Sequence, residues 1–221
     1  MKELLTKSIF TGGFDFLDLL LEYTYPWEAI GNIRKIIDVA KGRLDESYTK
    51  IGEDVYVFKG VSVPSSAKIV GPAIIMEGAE IRHGAYLRGG VIVGKGAVVG
   101  NSTEIKDSVL FEKACAPHYN YIGNSIIGKG AHLGAGAIIS NLKGNKTSVS
   151  ISYNGQKIDT GLRKLGAILG ENVEVGCGTV LNPGTIVLEN TQIYPLSSIR
   201  GTLDANLIYK SSDKIVKKAD K

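Results

Sequence analysis

With 221 residues, 43% of them hydrophobic and 22% charged, the chain has the length of one or two globular domains and the make-up of a soluble one. Its net charge of +4 sits mostly at one end, where Lys210, Lys214, Lys217, Lys218 and Lys221 stand against Asp213 and Asp220; the body is near neutral and lacks the basic face of a nucleic-acid binder. Two cysteines frame no disulfide scaffold, Asp15 and Asp18 break the N-terminal apolar run before it can act as a signal peptide, and no stretch reaches the roughly 20 apolar residues of a membrane span. A cytoplasmic protein with no nucleic-acid and no membrane partner is expected.

Residues 1–50 contain two runs with helical spacing. The segment 14–23 repeats its apolar residues at helical intervals, and Thr24-Tyr25-Pro26 ends it. Pro26 suits the first position of a second helix, which puts Trp27, Ile30, Ile33, Ile36, Ile37 and Ala40 on one face before Gly42 stops it. Such a pair of helices is expected to cap the open end of a repeat scaffold, the alternative being a binding or oligomerisation role.

From Ile51 the chain keeps a strict period of six. Ile51, Val57, Val63, Ile69, Ile75, Ile81, Leu87, Val93, Val99, Ile105 and Phe111 are all apolar, and four residues after each stands a small or β-branched side chain. Helices repeat every 3.6 residues and strands every 2, so neither gives this pattern. A hexapeptide repeat does. The expected fold is all-β: a left-handed parallel β-helix with three short strands per turn, the long apolar residue pointing inward on each side and the small one filling the corner. The phase is lost between Phe111 and Ile127, so Pro117-His-Tyr-Asn-Tyr-Ile122 is expected to interrupt the coil. Hexads return at Ile127, Leu133 and Ile139. Residues 141–166 leave as a long loop, in which Asn154-Gly155 between two alternating runs signals a type I′ hairpin. Hexads resume from Leu169 to Ile199. The expected organisation is a helical cap at 1–50, a β-helix at 51–207 and a solvated basic tail at 208–221.

A regular scaffold offers chemistry where it is irregular. His118, beside Tyr119, Asn120 and Tyr121, is the candidate general base, since imidazole is poised for proton transfer near neutral pH. Its bland alternative is a histidine that hydrogen-bonds at a corner. Arg88 and Lys106 are 18 residues apart, one full turn, and each comes directly after an inward residue; they stack on one side as a phosphate cradle, or serve as partners of Glu104. The three histidines, His83, His118 and His132, raise a metal site of the kind found in hexapeptide carbonic anhydrases, but the close final pair is missing, so none is expected.

The ordered series Leu87-Arg-Gly-Gly90, Glu104-Ile-Lys106, His118-Tyr-Asn-Tyr-Ile-Gly123, Gly134-Ala-Gly136 and Ser140-Asn-Leu-Lys-Gly-Asn-Lys146 resembles the acetyltransferase domain of the bifunctional bacterial enzyme that makes UDP-N-acetylglucosamine. It is more similar still to the C-terminal domain of archaeal sugar-1-phosphate nucleotidylyltransferases, which the segment Asp159–Gly166 and its hairpin also resemble. The resemblance implies an acetyl-CoA-dependent N-acetyltransferase of an amino-sugar 1-phosphate such as glucosamine 1-phosphate, assembled as a homotrimer. It implies His118 as the base, Arg88 and Lys106 as the phosphate grip with Tyr121 and Lys146 helping, and Asn141 at the sugar. It further implies the Ala135 N–H at the oxyanion and Cys177 beside acetyl-CoA between subunits. His132 stands where the bacterial family has a sugar-binding asparagine, and Leu142 where it has a tyrosine, so the sugar is open. No Gly-rich nucleotide-binding domain precedes the coil, so nucleotidyl transfer is not expected. Two other readings remain: a non-catalytic sugar-phosphate-binding scaffold, and a metal-dependent carbonic anhydrase-like enzyme.

Overall fold

The computed structural model describes residues 2–219. Three long sheets of nine, eight and seven strands wrap a single apolar interior, with a separate two-stranded hairpin outside them. Between successive coils the strands pair in parallel, for example Leu87 with Ile105 on the seven-stranded face and Ile81 with Val99 on the eight-stranded one. The inward column runs through Ile75, Ile81, Leu87, Val93, Val99 and Ile105 and on to Ile193 and Ile199, all buried in one cluster. Each such side chain contributes roughly 1.5–3 kcal/mol by leaving water. This is the expected parallel β-helix.

The break between Phe111 and Ile127 is not an interruption. The strands Cys115–His118 and Tyr121–Gly123 continue the coil in register, pairing Ala116 with Val99 and Ile122 with Ile105. The change is confined to the corner. Leu110, not Phe111, faces inward opposite Val93 and Ile127. A step of five from Ile105 to Leu110, and again from Ile122 to Ile127, replaces the step of six. Both short corners turn through a residue in the left-handed region, Asp107 at φ 46° and Asn124 at φ 50°, which Asx side chains tolerate.

The helices form neither a pair nor an end cap. After a 3-10 turn at Lys2–Leu4 come α1 (Thr6–Ile9), α2 (Leu17–Leu21), α3 (Pro26–Gly31) and α4 (Ile33–Lys41). They lie along the nine-stranded face. Trp27, Ile33, Ile36 and Ile37 share a second core with Ile74, Ile92, Val109, Phe111, Ile126, Ile168 and Ile186, the outward residues of that face. Phe111 stacks on Phe14 at 4.7 Å and meets Phe10 at 4.8 Å. The physical reason is in the strands: Ala73–Ile75 and Val91–Val93 are buried at every residue, while Tyr86–Arg88 on the seven-stranded face alternates exposed and buried. A strand apolar on both sides needs a second cover. The hairpin of Ser150–Tyr153 and Gln156–Asp159 turns at Asn154 and Gly155, φ 48° and 73°, as expected, and lends Val149 and Ile151 to the same outer core.

Both ends of the coil differ from expectation. Ile51 is 52% exposed, because its strand Tyr48–Gly52 runs antiparallel to Val55–Phe58 and closes the first turn. At the other end the described part of the basic tail is ordered, with Asp220 and Lys221 lying outside the described residues: Leu207–Ser211 pairs in parallel with Gln192–Ile193, then folds back antiparallel onto Lys214–Lys217. Lysines on an exposed edge strand discourage further pairing, which explains a basic composition without disorder.

Candidate active site

The corner between the eight- and seven-stranded faces carries His118. The coil stacks it in a column, because Gly136 N–H donates to the His118 carbonyl at 3.0 Å and Gly178 N–H donates to the Ala135 carbonyl at 2.9 Å. His118, Ala135 and Cys177 therefore occupy the same position on successive turns. Among the described residues no acceptor takes the Ala135 N–H, which leaves it available to a ligand. The His118 side chain and Cys177 are exposed, and Tyr119 beside them is 63% exposed at φ 53°.

Asn120 holds this corner from inside. It is 2% exposed, in a column otherwise filled by Thr103, Ala137 and Thr179. Its Nδ2 donates to the carbonyls of Gly134 (2.8 Å) and Ala137 (3.2 Å), and its Oδ1 accepts the His118 N–H at 3.2 Å. Its own N–H donates to Thr103 Oγ1 at 3.3 Å, and that hydroxyl donates to the Ala116 carbonyl at 3.1 Å. A buried amide with these partners fixes the backbone on both sides of the imidazole. Its signal in the sequence is an amide at a small-residue slot of the repeat.

The seven-stranded face brings together most of the other candidates. Arg88 and Lys106 stack one coil apart, as their spacing implies, and Gly123 lies over Lys106 on the next coil. Arg88 already has a partner, since Nη1 is 2.6 Å from Glu104 Oε1, and its guanidinium lies 5.9 Å from the Tyr86 ring. Lys106 Nζ is 3.5 Å from Asp107 Oδ2. Tyr121 pairs with Glu104 across the ladder, and burial, reinforced by the Glu104 charge, pushes its phenol up. Asn141 donates to Asn124 Oδ1 at 2.7 Å, and its amide and the Tyr121 hydroxyl share the space over Gly123. Gly123 makes this possible: a Cβ there would stand 2.5 Å from Asn141 Nδ2 and 2.8 Å from Tyr121 Oη.

Two candidates lie apart. His132 is on the eight-stranded face, its Nδ1 3.0 Å from Glu174 Oε2, and is not brought to Arg88, Lys106 or Tyr121. Lys146 is exposed on the 141–166 excursion, with no side-chain contact to that group among the described residues. No three side chains of His, Cys, Asp or Glu come close enough to hold a metal ion among the described residues.

Stacked hexapeptide coils, a corner imidazole and a cation-bearing face define the chain as a hexapeptide-repeat β-helix protein. A family model described as the GMPPB C-terminal domain matches residues 69–199, and the chain belongs to that family. It is 34% identical over 202 residues to a bifunctional sugar-1-phosphate nucleotidylyltransferase/acetyltransferase of Sulfurisphaera tokodaii, covering 86% of this chain and 50% of the relative. It is 31% identical over 199 residues to the bifunctional protein GlmU of Methanococcus maripaludis, covering 88% and 48%. The chain thus spans about half the length of these relatives. Among solved structures, the N-acyltransferase AntD from Bacillus cereus aligns over 83% of this chain and 88% of its own at 20% identity, with a TM-score of 0.38.

Proposed function

We propose that the protein is an acetyl-CoA-dependent N-acetyltransferase whose acceptor is an amino-sugar 1-phosphate such as glucosamine 1-phosphate. The observation that carries this reading is the column of His118, Ala135 and Cys177 beside the face that bears Arg88, Lys106, Tyr121 and Asn141. The family membership and the acetyltransferase named in the Sulfurisphaera relative support acyl transfer; the particular sugar rests on the motif resemblance.

In this mechanism the acceptor's phosphate displaces Glu104 from Arg88 and is gripped by Arg88 and Lys106 as a charge-assisted pair. Asn141 and Tyr121 orient the sugar. The amine nitrogen attacks the thioester carbonyl while His118 takes the amine's proton. The Ala135 N–H donates to the developing oxyanion. As the tetrahedral species collapses, the C–S bond breaks and the thiol of coenzyme A leaves with the proton returned by the imidazolium. Cys177 borders the arm of the acyl donor, and a neighbouring subunit of a homotrimer closes the channel.

The test mixes the protein with acetyl-CoA and glucosamine 1-phosphate and monitors free thiol. His118→Ala is expected to lower turnover 100- to 10,000-fold, the usual share of a general base. Unchanged turnover removes His118 from the mechanism. Binding of the sugar phosphate with no thiol release from any amino sugar favours the second reading, a sugar-phosphate-binding scaffold.

A further inference from the structure

The acetyl-transfer reading gives no task to Arg34, Lys35 or Lys164. Arg34 and Lys35 belong to the first turn of α4, and Lys164 to the end of the 141–166 excursion, far apart in sequence. The fold nevertheless brings all three to one cavity of about 350 Å³, shared with Asn32, Asp107 and Asn124 and walled by Ile30, Ile33 and Leu162. Leu162 packs on Gly31, where a Cβ would stand 3.1 Å from it.

The charges of this cavity are unbalanced. Three cations meet a single carboxylate, that of Asp107. Its Oδ1 lies 3.0 Å from Arg34 Nη2 and its Oδ2 3.5 Å from Lys106 Nζ, so one side chain links the cavity to the phosphate-gripping face around the corner. The contact to Arg34 is an ion pair without hydrogen-bond alignment, and Oδ1 is a buried oxygen with no hydrogen-bond partner among the described residues. The guanidinium is therefore laid beside Asp107 rather than forked onto it, and most of its five N–H donors stay uncommitted. Lys35 and Lys164 have no ion pair or side-chain hydrogen bond among the described residues. Asn124 spends its oxygen on Asn141, which leaves its amide nitrogen as a further donor. Arg34, Lys35 and Lys164 are solvent-exposed, so the argument rests on their convergence: an excess of donors over acceptors around one concave site is the make-up of an anion site.

We propose that this cavity is a phosphoryl-binding site, built by Arg34, Lys35, Lys164 and Asn124, with Asp107 as the residue that positions Arg34. Two sources can supply the phosphoryl group. One is the acceptor itself, if it carries more than one phosphate and reaches around the corner from Lys106. The other is free phosphate or a phosphorylated metabolite bound apart from the acceptor.

The experiment titrates the full chain with inorganic phosphate and with pyrophosphate at low salt by calorimetry, so thiol release is not the readout and the proposal stands or falls apart from acetyl transfer. Lys35→Ala/Lys164→Ala removes two side chains that pair with nothing and is expected to keep the wild-type melting temperature while weakening pyrophosphate at least tenfold. Arg34→Ala is expected to do the same with some loss of stability. Unchanged affinity in the double variant overturns the proposal, as does loss of binding confined to Arg88→Ala/Lys106→Ala. Loss in both pairs of variants makes the acceptor's own phosphates the source. Loss confined to the cavity variants makes the ligand a free phosphoryl anion.

Discussion

Ala135 stands directly over His118 on the next coil, tied by the Gly136 N–H that donates to the His118 carbonyl. Adjacent rungs of a ladder are about 4.8 Å apart. A group bound at this corner can therefore meet an imidazole on one rung and a free backbone N–H on the next, with no loop movement. The repeat itself supplies the spacing that a proton acceptor and an oxyanion donor need.

Cys177 extends the column by one more rung, and it provides a direct check on where the acyl donor lies. The two cysteines differ: Cys177 is exposed, whereas Cys115 is partly covered and its burial pushes the thiol up, with Arg82 opposing. Thiolate fraction and access set the alkylation rate. Iodoacetamide at mildly alkaline pH is expected to modify Cys177 well before Cys115, and saturating coenzyme A is expected to slow the first reaction several-fold. Peptide mass mapping over time reads both rates; equal labelling with and without coenzyme A places the donor elsewhere.

Asn120 tests whether the corner's internal hydrogen bonds matter to the chemistry. In Asn120→Ala the His118 N–H loses its acceptor and the Ala137 carbonyl loses the amide's donation, while the Gly134 carbonyl keeps only the Ala137 N–H at 3.1 Å. An unsatisfied buried group costs about 1–3 kcal/mol, so urea unfolding is expected to show a loss in that range. Turnover of the surviving folded protein is expected to fall more than acceptor binding, because the imidazole loses its backbone support.

The coil was legible in the sequence because an inward column of Val, Leu and Ile has one cause. The outer core was not read, although its signal was there: Ile74, Ile92, Ile168 and Ile186 each precede an inward residue on the same one of the three sides, a second period of about 18 hidden inside the first. Such a stripe puts the helices on a face rather than an end. Phe111 misled for a related reason. It is apolar and falls on the six-residue count, but the short corner at Asp107 turns it out to Phe10 and Phe14 and turns Leu110 in. His118, Arg88 and Lys106 could be placed relative to the coil because spacing fixes columns. Arg34, Lys164 and the buried role of Asn120 could not, since they depend on contacts between segments that no period links.

The excursion hairpin gives a pH-dependent contact. Burial, joined by the bond that the Tyr153 hydroxyl donates to Asp204 at 2.9 Å, pushes the Tyr153 phenol up to about 12 from an ordinary 10. The neutral phenol is the form favoured in the folded state. Its contribution is therefore complete below pH 10 and disappears as pH rises through about 12. Ultraviolet absorbance titration of the phenolate band is expected to lose a late-ionising tyrosine in Tyr153→Phe. Proteolysis of the excursion is expected to become easier in that variant already at neutral pH.

Gly123 separates acceptor recognition from acyl-donor recognition. It sits within the strand Tyr121–Gly123, paired with Lys106, and its missing side chain leaves the space that Asn141 and the Tyr121 hydroxyl fill. In Gly123→Ala the new methyl meets the ends of two side chains rather than backbone, so both can swing away and the coil survives. The variant displaces Asn141 and the Tyr121 hydroxyl from the space over Gly123 and so loses the arrangement that, in the proposed mechanism, faces the sugar. The expected result is a KM for the amino-sugar phosphate raised roughly tenfold, the effect of losing about 1.4 kcal/mol of binding. The KM for acetyl-CoA should not change, because the His118, Ala135 and Cys177 column lies at the opposite edge of the seven-stranded face. Equal changes in both constants would show that Tyr121 and Asn141 serve the fold rather than the acceptor.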